Sequence, residues 1–258
     1  MIKEIITYSL ISAFALTYLK WGNPYILFWN FLFAFIVSFV AQLIFLGILR
    51  FFALKKGYDI SFTELYFSKE TRKYSHLKKT VVKSEIKIPI GYILPIAFTF
   101  ITYGLFFPAT AYIIKLSKHP IFRTGTKEEK IEERITIFLK ALFYYFIVLS
   151  IIYILFSSNW FLSNLYIYFI HFSLVYFVSK IIPWVTILLP LLKPYDFEPN
   201  TYTEGDLMIM TAKSVTYPRL LAIFVYILLM HINIIAALVF AIIVFFASKF
   251  YWLYKELS

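Results

Sequence analysis

From Tyr25 to Leu49 the chain runs for twenty-five residues without a charged side chain, then stops at Arg50 and passes through Phe51-Phe52-Ala53-Leu54 to Lys55-Lys56-Gly57. At about 1.5 Å rise per helical residue, the run exceeds the roughly 20 residues that cross the hydrocarbon core of a bilayer. The chain therefore folds in lipid. Apolar residues make up 61% of it and the mean hydropathy is +0.79, a composition that a water-soluble domain of this length would expose as large apolar patches.

Five further apolar stretches follow the same logic, and none alternates as barrel strands do. Residues 5–19 read as a short first span or signal anchor, since Lys3 precedes them and no small-residue cleavage site follows before Trp21. Residues 88–114 are uncharged but contain Pro89, Pro95, Gly104 and Pro108, which predicts a broken or re-entrant hairpin instead of one straight helix. Residues 135–156 form a span with Lys140 near its basic end. Residues 160–192 are too long for one perpendicular helix, and Lys180 with Pro183 marks a kink or stop. Residues 220–248 read as the last span, closed by Lys249. The expected fold is all-α, a polytopic transmembrane helical bundle of about six spans, forming a single integral membrane domain over residues 1–258 in the cell membrane.

The loops orient this bundle. Residues 55–87 carry nine basic side chains against four acidic ones, and residues 115–134 carry six against four, so both are expected on the cytoplasmic side. If they share a side, the segment between them enters and leaves on one face, as a hairpin broken near Gly104 would. The stretch from Thr124 to Glu133 reads as an N-capped amphipathic lead into the next span. The formal net charge of +11 comes from lysines and arginines flanking apolar runs. Anionic lipid headgroups and the positive-inside rule account for it, and no nucleic acid is expected as a partner. Cysteine is absent, which removes disulfides and thiolate metal sites.

Strongly polar groups inside lipid are costly and are functional candidates by default. Asn30, Gln42, His171, His231 and Asn233 fall within the spans, while Arg50, Lys140 and Lys180 lie near enough to the ends to snorkel. His171 and His231 are the two intramembrane histidines. A zinc site built on them needs a third protein ligand, and the simpler role for each is a hydrogen bond to a neighbouring helix. The carboxylates gather after the fifth span, where Asp196, Glu198, Glu204 and Asp206 could bind a hard cation or act as turn and helix-cap residues. No Gly-x-Ser-x-Gly elbow and no phosphate-cradling glycine loop is present.

In layout the chain resembles the site-2 protease family of intramembrane zinc metalloproteases, particularly its small archaeal-type members. In that family one transmembrane helix carries His-Glu-x-x-His and runs on to a basic tail and a glycine. Counting back from Gly57 places the two ligand positions at Phe45 and Leu49 and the glutamate position at Leu46, with Ala53 at a small-residue position. The segments around Lys87-Ile88-Pro89-Ile90-Gly91 and Gly104-Leu105-Phe106-Phe107-Pro108-Ala109 resemble the family's apolar insertion. Ile131-Glu132-Glu133-Arg134-Ile135 resembles the start of the next core helix. Leu189-Pro190-Leu191-Leu192-Lys193-Pro194-Tyr195-Asp196 resembles the approach to the third zinc ligand, which maps to Asp196 or near Asp206.

The resemblance implies a site-2 protease fold whose catalytic positions are apolar. Zinc is expected only where the family's chemistry is retained, and Phe, Leu and Leu supply neither ligand nor general base. The implied protein is a proteolytically inactive pseudoenzyme that binds another membrane protein or its transmembrane helix. The alternative, from the proline-broken apolar segments, is a small transporter, channel or insertase-type subunit.

Overall fold

A computed structural model describes residues 2–18, 24–75, 80–118, 127–156, 160–191, 196–197, 203–211, 213–230 and 232–257. Helix dominates. The uncharged run becomes one long helix, α2 (Pro24–Lys55), which ends where Gly57 adopts a left-handed φ of 71° and the amides of Lys56 and Gly57 turn back onto the carbonyls of Ala53 and Leu54. Along it Ala34, Ser38, Ala41, Phe45, Leu49 and Ala53 form a buried stripe at helical spacing. Helix α1 (Ile2–Tyr18) packs along α2, with its own Ser9, Ser12, Ala13 and Leu16 buried.

The segment at 88–114 reverses as its glycine and prolines imply. Helix α3 (Ile90–Ile101) stops at two left-handed residues, Tyr103 at φ 53° and Gly104 at φ 81°, and the chain returns without helix through a buried stretch from Phe107 to Ile114. The 160–192 stretch also breaks where expected. Helix α5 (Trp160–Ile181) ends before Pro183, whose carbonyl accepts from Ile187 in the first turn of α6 (Trp184–Leu191).

Two expectations are corrected. The basic segment at 55–87 and the start of that at 115–134 are not loops around an all-α bundle. They form antiparallel strands: β1 (Tyr58–Thr63), β2 (Phe67–Ser75), β3 (Thr80–Ile88) and β4 (Ile113–Lys118), with a two-residue β5 (Asp196–Phe197). β1 pairs with β4, and β2 lies between β3 and β5. The period of two in Tyr58-Asp-Ile-Ser-Phe-Thr explains the strand, with Tyr58 buried and Asp59 exposed. Because β1 follows α2 and β4 follows the reversal, the two basic segments meet side by side, as a segment that enters and leaves on one face requires. The proposed capping residue Thr124 lies outside the described residues.

The second correction is at the C-terminus. The 220–248 run is not one span but belongs to two helices, α8 (Lys213–Leu229) and α9 (Ile234–Leu257), packed as a hairpin. Asn233 separates them: its side-chain oxygen accepts from the amides of Ile235 and Ala236, so it caps α9 and is not a polar group within a span. Between these elements, α4 (Lys127–Phe156) and a short α7 (Glu204–Ile209) complete the bundle. Among the described residues, Leu27–Lys55, Glu129–Ile152 and Ile234–Lys255 are long and apolar enough to cross a membrane.

Candidate functional site

The positions that the family layout assigns to zinc chemistry are filled and closed. Phe45 and Leu49 are 1% and 0% exposed, and Leu46 is also buried. The Phe45 ring lies 5.7 Å from that of Phe138 on α4, 5.8 Å from Tyr145 on α4 and 5.4 Å from Tyr176 on α5, each edge to face. That geometry is the favourable one for aromatic quadrupoles, so the helix packs through this face. None of Phe45, Leu46 and Leu49 carries an atom that ligates a metal or activates water.

Asp206, one of the mapped third-ligand positions, is fully buried and saturated as a double cap. It accepts from the Thr203 amide at 2.9 Å and forms a capping box with Thr203 at the start of α7. It also accepts from the amides of Val185 and Thr186, at 3.2 and 2.9 Å, and from the Thr186 hydroxyl at 2.8 Å, which caps α6. One carboxylate thus satisfies the orphan donors of two helix starts, and its lone pairs are committed. Its reading as a cation ligand is replaced by this capping role. Asp196 contributes backbone to β5, paired with Ser68. Glu198 and His231 lie outside the described residues. His171, half-buried on α5, has its ring 6.4 Å from that of Phe107, and its Nε2 is buried without a hydrogen-bond partner. Among the described residues, no three histidine, aspartate or glutamate side chains converge as a metal site would require.

The polar centre lies one ring away from Phe45. Lys180 does not snorkel: it is 2% exposed, and its Nζ stands 3.2 and 3.4 Å from the two carboxylate oxygens of Glu204, itself 4% exposed. The ammonium also donates to the Tyr112 carbonyl at 3.2 Å and lies 5.1 and 5.6 Å from the Tyr112 and Tyr176 ring centroids. Glu204 in turn accepts from the Ile114 amide at 3.1 Å. Lys180 and Glu204 therefore satisfy a carbonyl and an amide on the outer edge of the returning stretch, the edge β4 does not offer to β1. Irregular backbone and sheet edges persist away from water only when such groups are met.

The same stretch is held at other points. The Ala109 amide donates to Ser179 Oγ, and the Thr110 hydroxyl donates to the Gly91 carbonyl at 3.0 Å. From Tyr112 a polar chain continues inward. The Tyr112 hydroxyl donates to Gln42 Oε1 at 2.7 Å, and Gln42 Nε2 donates to Ser9 Oγ at 2.8 Å and to the Ser38 carbonyl at 3.2 Å. Among the described residues, Gln42 is thus the polar candidate that the sequence places within a span and that joins this centre.

Gly205 makes the arrangement possible. A Cβ there would collide with the main-chain carbonyls of Ile181 and Ile182, so α7 packs backbone to backbone against the α5–α6 break. This close approach places Glu204 toward Lys180 and Asp206 toward the α6 start. Sequence reading missed the pairing of Lys180 with Glu204. Its signal was a lysine inside an otherwise uncharged stretch, which requires a partner somewhere in the fold.

No family model, curated protein or solved structure matches the chain.

Proposed function

We propose that this chain is a multi-pass integral protein of the cell membrane, laid out like a site-2 protease, that binds a transmembrane segment of another membrane protein without cleaving it. One observation carries the reading: the positions mapped to the zinc motif, Phe45, Leu46 and Leu49, are buried in an aromatic core and have no ligating atom of their own. Asp206 adds to it, because its oxygens are occupied by two helix starts. The binding half draws on α9, which turns Ile235, Phe240, Ile243, Phe246 and Phe250 outward along one apolar helix, a surface suited to a neighbouring helix in lipid.

The test pairs metal analysis of the purified protein with co-expression of transmembrane reporters. Sub-stoichiometric zinc, intact reporters and a cross-link from α9 to a co-purifying membrane protein are the expected results. Stoichiometric zinc, or reporter cleavage by the purified protein, overturns the reading. The transporter alternative rests on the polar chain from Ser9 through Gln42 and Tyr112 to Lys180 and Glu204. Liposome flux abolished by Gln42→Leu would favour it.

A further inference from the structure

A cavity of about 490 Å³ opens between β4, the first turns of α4 and α7. Its size falls among small-molecule sites, roughly 300–1,000 Å³. The wall divides in two. Lys115 from β4 and Lys130 and Arg134 from α4 bring three cations to it, while Ile135, Phe138 and Leu207 supply an apolar side.

The three cations are not used by the fold. Among the described residues none has a carboxylate partner, and Arg134 Nε is buried without any hydrogen-bond acceptor. The carboxylate that borders the cavity, Glu204, is committed to Lys180 and to the Ile114 amide. Of the carboxylates next to Arg134 in the chain, Glu133 accepts from Tyr58 at 2.9 Å and faces Lys56 at 3.8 Å, and Glu132 interacts with the Arg219 charge. A guanidinium nitrogen desolvated with no acceptor is expensive, so the cavity is complementary to an anion.

Two features decide which anion. Lys130 and Arg134 stand on the highly charged first turns of α4, and the apolar run, charged only at Lys140, begins at Ile135. In a bilayer that boundary lies at headgroup level, where basic pockets between helices hold anionic lipid headgroups. The apolar side continues toward exposed Met210, a path for an acyl chain that free phosphate would leave unfilled.

We propose that this cavity binds the phosphate headgroup of an anionic phospholipid, with Arg134, Lys130 and Lys115 on the phosphate and Ile135, Phe138 and Leu207 against the first acyl carbons. The site is independent of whether the chain is proteolytically inactive: zinc or cleavage would overturn that reading and leave this one standing.

Native mass spectrometry of the full-length protein in non-ionic detergent, titrated with dioleoyl phosphatidylglycerol or dioleoyl phosphatidylcholine, tests it. The expected result is preferential retention of phosphatidylglycerol, weakened about tenfold by Arg134→Gln and restored in part by Arg134→Lys. The exposed control Lys249→Gln changes it less than about twofold, as a surface charge should. Lys130→Gln serves as the second variant should Arg134→Gln fail to elute as a folded species. Equal retention of the two lipids, or an equal loss in Lys249→Gln, overturns the proposal. So does displacement of phosphatidylglycerol by millimolar inorganic phosphate, which would make the site one for free phosphate.

Discussion

The Tyr176 ring borders interiors of opposite kind. Phe45 meets it at 5.4 Å within an apolar cluster, and the Lys180 ammonium, paired with Glu204, lies 5.6 Å from its centroid. The first interior is shape alone, and its parts can be exchanged for others of similar volume. The second fixes identity, because a buried charge tolerates its partner and little else. The fold depends on chemistry at the returning stretch, where backbone groups need side chains to meet them, and not at the Phe45 face of α2.

The sharpest way to break this comparison is to remove one charge. Glu204→Leu should destabilise by about 3–5 kcal/mol, since it leaves Lys180 buried and unpaired, whereas Lys180→Met combined with Glu204→Leu should recover part of that loss, the Tyr112 carbonyl and Ile114 amide staying unmet. Thermal unfolding in detergent reads both, and a double variant no better than the single would sink the claim that the charge itself is at stake. Phe45→Ala comes next, about 3 kcal/mol from the vacated ring volume. Phe45→Leu should lose far less, and equal losses from the two would mean that this face is not governed by volume.

Gly205→Ala should cost about 2–3 kcal/mol, because the added methyl meets backbone carbonyls that have no way to yield. Solvent exposure of both Lys180 and Trp184, followed by lysine labelling and indole fluorescence, is the expected signature. Gln42→Leu should cost about 1–2 kcal/mol by stranding the Tyr112 hydroxyl. No change on that substitution would detach the polar chain from the Lys180 side of the comparison.

The smallest effect belongs to Tyr58, outside the spans. Burial first, and then the Glu133 carboxylate it donates to, hold its hydroxyl well above the ordinary tyrosine value. The hydroxyl therefore stays protonated in the folded protein at a pH where the unfolded chain has lost its proton. Its contribution is fully present below about pH 10 and is lost as pH rises toward the folded value. Tyr58→Phe should flatten that alkaline decline in melting temperature, and an unchanged slope would exclude Tyr58 as its origin.

Much of the helical plan was legible in residue types. Tyr25 to Leu49 became a helix long and apolar enough to cross a membrane, and Pro183 and Gly104 broke their segments where proline and glycine chemistry says they should. The strands were hidden because β1 is short and the lysines of 55–87 drew the reading toward charge instead of the period of two in Tyr58 to Thr63. The 230–233 break was hidden because the apolar run continues through it and one asparagine cap is its sole local sign. The Lys180–Glu204 centre lay further out of reach. Both residues were visible as charges, but their meeting depends on Gly205 bringing α7 against the α5–α6 break, a contact that no local pattern encodes.

That separation has a consequence for synthesis. Glu204 follows Lys180 by 24 residues, so α5 is complete before the carboxylate that neutralises it has been made. Until then the ammonium, one residue from the C-terminal end of α5, has no carboxylate to meet it. The pair is therefore expected to close only once α7 has been made, so the seating of α7 against the α5–α6 break is a late step of folding, ahead only of the α8–α9 hairpin.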